Sequence, residues 1–422
     1  LTLTAGTFTV KGSPTLSLNG NNVAGTATNL DVDNTSRLSF GGSTTGITIP
    51  AHITALHTLN IANTSTNGVA TNITGNTINI ANTLSVAANA TLNPAAADII
   101  SGAGTLNGSG TVRVTRTAAT ADFSSQYPIS GKTLTDLTVN YFNSTGNQTI
   151  SALTYGKLTQ SNTSGINTMG GNVVTNELTL AGGGTFNIGN GNSLTINNNL
   201  TGTGFIRGSN ASDLVIGSSF GTSTFYFDQT STYGRTISSL TNVLRNFSIA
   251  GGTVTLGNSL NLANGIFSMS GGTIQLGNND ITLKSDNTAT TMAQVGSLSG
   301  GIISYNGTGR FIAERAMTTA RRGFRNLSSG GILSDADIWS NWQEGATTEN
   351  YIPNYYYGMQ ITGGNYTGSA NAVDPVTGFD ATRTGNPSLW TYGLANTYVP
   401  VTSTKGTILY PFVGYYAIVR GN

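Results

Sequence analysis

Apolar and polar residues alternate along most of this chain. In "NSLTINNNL" Leu194, Ile196 and Leu200 recur at even spacing among Asn and Thr, and "GTVTLGNSLNL" sets Val254, Leu256, Leu260 and Leu262 the same way. Period two with β-branched neighbours predicts short strands with one face in a core. Turn text such as "NGNN", "GGG", "SGG" and "GNND" separates them. The opening "LTLTAGTFTV" returns as "LTLAGGGTFNI" at Leu178–Ile188 and "LNLANGIFSM" at Leu260–Met269. The repeat is roughly 20–24 residues, the length of one coil of a parallel β-helix.

The repeat carries its own physical logic. One coil cannot bury its own apolar face, so imperfect copies must stack on one another. Gly and Asn supply the positive φ of tight corners, and stacked Asn side chains hydrogen-bond along the axis. Leu178, Leu180, Phe186, Ile188, Leu194 and Ile196 are expected to point inward. At the spacing of paired strands, roughly thirteen coils give a rod on the order of 60 Å long. The expected fold is therefore all-β: a right-handed parallel β-helix over residues 1–308, then an all-β C-terminal cap domain over 309–422. The repeat is least clear in "TRTAATADFSSQYPISG", Thr115–Gly131, which reads as a long loop or a distorted coil.

The second domain announces itself by composition. "GRFIAERAMTTARRGFRN" brings Arg310, Arg315, Arg321, Arg322 and Arg325 close together, and Trp339, Trp342 and Trp390, all three tryptophans of the chain, lie downstream. Its strands are expected in "YGMQITGG", "SLWTYGL" and "YPFVGYYAIVRG".

Charge and chemistry narrow the functional classes. Only 8% of the 422 residues are charged and the formal net charge is +1, which argues against electrostatic capture of nucleic acid or an anionic membrane. With 0 cysteines there is no disulfide or thiolate site, and no apolar run of about 18 residues is present to span a bilayer. The first residue is Leu1 rather than Met, which fits an exported protein with its signal peptide removed. The only histidines, His52 and His57, read as surface imidazoles, and no metal or cofactor is expected. Three acid pairs, Asp31 with Asp33, Asp335 with Asp337 and Glu344 with Glu349, are candidates for glycoside hydrolysis but read more simply as turn acids. The arginines read as a seam paired with Glu314, Asp335 and Asp337. Regular Thr-x-Thr columns are not evident in the text, which disfavours an ice-binding solenoid.

In order along the chain, "SDADIWSNWQEG", "YGMQITGG", "GFDATRTGNPSLWTY" and "LYPFVGYYAIVRG" resemble a module in large secreted and cell-surface proteins of Bacteroidota, many exported by the type IX secretion route. The upstream coils are similar to the β-helical parts of those proteins. The resemblance implies an extracellular or cell-surface location far better than it implies an activity.

The expected function is a non-enzymatic extracellular structural protein, a surface adhesin or the protomer of a fibre. Its partner would be a head-to-tail second copy, met through the first coil at Leu1, Leu3, Phe8 and Val10. The alternative is a carbohydrate-binding surface protein that holds polysaccharide with Trp339, Trp342, Tyr355, Tyr356, Tyr357 and Trp390. A β-helix polysaccharide-degrading enzyme stands third. Neither nucleic acid nor membrane insertion is expected.

Overall fold

The computed structural model describes residues 1–20, 22–117, 121–143, 146–162, 165–181, 183–228, 242–285, 292–315, 323–328, 337–343, 359–368, 372–392, 397–410 and 413–419. The chain forms two compact units, Leu1–Ala316 and Met317–Asn422.

The first unit is a parallel β-solenoid of about 12 turns. Its strands lie in stacked parallel sheets, the largest of 11 strands and another of 6. The alternation explains why: each strand places every second residue inward, and parallel pairing sets like on like. Val69, Leu92, Val112, Val139, Leu158, Leu178 and Leu200 form one buried column, each paired with the next. The six residues expected inward, Leu178, Leu180, Phe186, Ile188, Leu194 and Ile196, are all buried. Later in the chain the interior turns aromatic, with Phe227, Phe247, Phe267 and Phe311, drawn from different sheets, packed at centroid separations of 6.5, 5.9 and 5.1 Å. Phe311–Ala313 still pairs parallel with Ile281–Lys284, so the arginine-rich text opens inside the solenoid.

Thr115–Gly131, where the repeat is least clear, contains a short helix, Asp122–Gln126. Phe123 and Tyr127 are fully buried there. The helix is fixed by Gln126, whose Oε1 accepts from the Thr115 amide at 2.9 Å and whose Nε2 donates to the Ala95 carbonyl at 3.0 Å. Such a polar anchor leaves no apolar periodicity to read.

Outward columns are polar, and threonines do align in short runs. Thr222 and Thr224 stack on Thr253 and Thr255, and Thr58, Thr83 and Thr105 form another column. Gln275 ends the first run on one side and Arg37 interrupts the second. The sequence text hides these runs because the register joining them depends on variable corner lengths.

The second unit is built on a four-stranded antiparallel sheet ordered Gly323–Ser328, Gly414–Val419, Leu389–Tyr392, Tyr398–Pro400. One face covers a small core of Ile338, Ile361, Phe379, Leu389, Leu409 and Ala417. Asp337 caps the short helix Ile338–Asn341, its Oδ1 accepting the Ser340 amide at 2.8 Å.

Candidate functional site

Neighbouring residues on a strand point to opposite faces, so Tyr415 and Tyr416 part company. Tyr415 enters the core, and Trp342 meets it edge-on at 5.1 Å. Tyr416 stands on the outer face, opposite Trp390 on the adjoining strand. Phe324 stacks on Tyr416 at 4.6 Å and 5°, and Tyr398 stacks on it at 4.6 Å and 29°. Tyr392 meets Tyr398 at 5.4 Å. The sheet therefore carries an aromatic cluster on the side away from its core, with Phe324 50%, Tyr392 55% and Tyr398 49% exposed. Burial cannot account for a contiguous exposed aromatic patch of this kind.

A shallow groove of about 380 Å³ opens beside the rings, bordered by Asn326, Tyr392, Tyr398, Gly414 and Tyr416. Among the described residues no charged one lines it. Amide and phenol groups at the edge of apolar rings supply hydrogen bonds without a formal charge.

The sequence-predicted residues divide. Trp390 belongs to the outer cluster. Trp342 packs toward the core, and Trp339 lies under the Lys405 ammonium, 4.7 Å from its ring. Tyr355, Tyr356 and Tyr357 lie outside the described residues. Phe324, Tyr392, Tyr398 and Tyr416 escaped sequence reasoning; a reading of alternation in "SLWTYGL" and "GYYAIV" would have separated the faces within each strand, but not joined the strands.

The first coil also divides. Leu3 and Val10 are buried, while Leu1 is 39% and Phe8 42% exposed. Strands Thr2–Leu3 and Phe8–Val10 pair with Ala24–Gly25 and Leu30–Val32.

The candidate chemistry is occupied by structural work. His52 and His57 are half-buried rather than surface groups; His52 Nε2 lies 2.9 Å from the Leu30 carbonyl oxygen and His57 Nδ1 lies 3.0 Å from Thr58 Oγ1. Asp31 and Asp33 share Lys11, at 3.0 and 3.8 Å. The Thr35 hydroxyl and amide hold Asp33 below the usual carboxylate range, the opposite of what a general acid needs. Asp335, Glu344 and Glu349 lie outside the described residues, as do Arg321 and Arg322. Desolvation would raise the Asp337 carboxyl, but bonds from the Ser340 hydroxyl and the Gly406 and Ser340 amides outweigh it and hold the group low. Among the described residues no group of three His, Cys, Asp or Glu is placed to hold a metal.

Of the expected arginine seam, Arg321, Arg322 and Asp335 lie outside the described residues, and the described members make other contacts. Glu314 pairs with Lys284 at 2.6 Å, because Phe311–Ala313 stacks on Ile281–Lys284 and brings the two side by side. Arg315 donates instead to the Ala293 and Glu314 carbonyls, and Arg325 to the Phe324 carbonyl.

The phrases that carry the resemblance meet in the second unit. Buried Asp380 accepts from the Ile361 amide at 2.7 Å and from Gln343 Nε2 at 3.0 Å, and Ser388 Oγ accepts from the Thr362 amide at 2.8 Å. Each bond joins two phrases distant in sequence, so these residues have a structural reason to be present. Comparison with protein-family models, curated proteins and solved structures found no match to this chain.

Proposed function

We propose that this chain is a non-enzymatic extracellular protein of the adhesin type, exported to the cell surface, in which the solenoid is scaffold and the outer face of the C-terminal sheet holds polysaccharide. The observation that carries the reading is the exposed cluster of Phe324, Trp390, Tyr392, Tyr398 and Tyr416 on the face turned away from its own core. Aromatic side chains pack on the apolar faces of sugar rings, and they remain on a solvated surface at a solvation cost that a ligand offsets. The resemblance to Bacteroidota surface proteins supports the location.

The reading is tested by sedimenting the full chain with insoluble polysaccharides. Binding should be lost in Trp390→Ala and Tyr416→Ala with the solenoid's circular dichroism unchanged. Equal retention by wild type and both variants would sink it. Incubation with the same polysaccharides should release no reducing ends or unsaturated products.

A further inference from the structure

One residue in the groove has no structural reason to be what it is. Most glycines of the described residues either hold a left-handed φ or would drive a Cβ into a neighbour. Gly68, for instance, does both, with φ +70° and the Thr91 carbonyl oxygen in the way. Gly414 does neither: its φ lies outside the left-handed region and a Cβ there would have no neighbour within 4 Å. It opens an antiparallel strand and pairs with Ser328 at the end of a ladder whose described register is unbroken. A strand glycine loses packing and conformational entropy, and a bulge, a bend or the close approach of another group is what usually justifies it.

On this strand Gly414 alternates with Tyr415 and so shares the outer face with Tyr416, where it helps border the groove. Any larger side chain would project into the space beside Tyr416, Tyr398 and Asn326. The missing side chain keeps that space open. We infer that the groove over Gly414 seats a ring of a neutral, hydroxyl-rich saccharide, laid against the strand backbone and flanked by the tyrosines and the Asn326 amide. This deepens the proposed function and rests on it.

The ligand class follows from the lining. Acidic polysaccharides are recognised by guanidinium or ammonium groups that pair with carboxylate or sulfate. Among the described residues the groove has none: the polar atoms they bring to it belong to phenols, an amide and the backbone. These pair with sugar hydroxyls, which both donate and accept. Arg325, the nearest cation in sequence to Asn326, is one residue away on the same strand and so points to the other face.

Isothermal titration of the full chain with xylohexaose, cellohexaose and chitohexaose, against oligoalginate and oligogalacturonate, tests this directly. At least one neutral oligosaccharide should bind and the acidic ones should not. Gly414→Val should weaken the neutral ligand at least tenfold, Gly414→Ala less, with melting temperatures equal to or above wild type because valine suits a strand better than glycine. Wild-type affinity in a folded Gly414→Val protein, while Trp390→Ala and Tyr416→Ala lose binding, would overturn the groove and leave the aromatic face standing. Preference for an acidic oligosaccharide would overturn the ligand class alone. Absence of binding to every saccharide, soluble or insoluble, would overturn both readings together.

Discussion

The two units solve the same problem of burying an all-β core in opposite ways. In the solenoid, stability is spread over repeated positions: Leu38, Leu59, Leu84 and Leu106 do the same work one coil apart. The C-terminal unit has a core cluster of Ile338, Ile361, Phe379, Leu389, Val401, Leu409, Tyr415 and Ala417, tied by single hydrogen bonds between distant segments, and it leaves large aromatics outside. Repetition suits a scaffold, because every coil presents much the same surface. Unrepeated residues suit recognition, and the aromatic face is built from them.

The comparison can be broken most forcefully in the solenoid interior. Leu180→Asp places a carboxylate in the buried interior, between Gln160 and Gly202 on the ladder, and should cost about 3–5 kcal/mol, whereas Asn190→Asp at an exposed corner should change stability by less than about 0.5 kcal/mol. Similar denaturant midpoints for both variants would show that the inward register is wrong.

The C-terminal unit should fail through a bond rather than a column. Asp380→Ala strips a partner from the buried Ile361 amide and the Gln343 amide group, at a cost of about 2–4 kcal/mol confined to that unit. Because Trp339, Trp342 and Trp390 all lie there, tryptophan fluorescence should melt early while the far-ultraviolet signal of the solenoid persists. Coincident loss of both signals would mean that the two units share one cooperative transition.

A smaller effect sharpens the assignment of the outer face. Tyr416→Ser removes stacking with Phe324 and Tyr398 and should cost about 1–2 kcal/mol, while binding falls much further in proportion. A stability loss that fully accounts for the binding loss would make the cluster a stiffener of the sheet and nothing more.

The smallest effect is set by pH. The Asp337 carboxyl is held below its ordinary value in the folded chain, so its contribution is present above the unfolded value near pH 4 and disappears as pH falls through the lower folded value. Asp337→Asn should therefore lower the C-terminal melting temperature slightly at pH 7 and not at pH 2. A difference between wild type and variant that grows on acidification would contradict the assignment of its bonds.

What the sequence determined by itself is the part governed by local alternation. Period-two spacing of Leu, Ile, Val and Phe assigns each side chain to a face without reference to any other strand, and the repeat length makes stacked coils the way to bury that face. Fold class and the six inward positions from Leu178 to Ile196 followed from that. Tertiary structure decided whatever depends on which strand lies beside which. The helix at Asp122–Gln126 is held by Gln126 reaching back to Ala95, and the threonine runs depend on register between coils of unequal corner length. The outer aromatic face joins Phe324, Trp390, Tyr398 and Tyr416 from four strands, two of them brought together by pairing of Phe324 with Ile418 across the whole unit. Composition marked the aromatic-rich region, but Trp339 and Trp342 share that composition and turn elsewhere. Antiparallel pairing between distant segments, which local periodicity does not encode, divides the aromatics between core and face and places an otherwise unexplained glycine beside the rings.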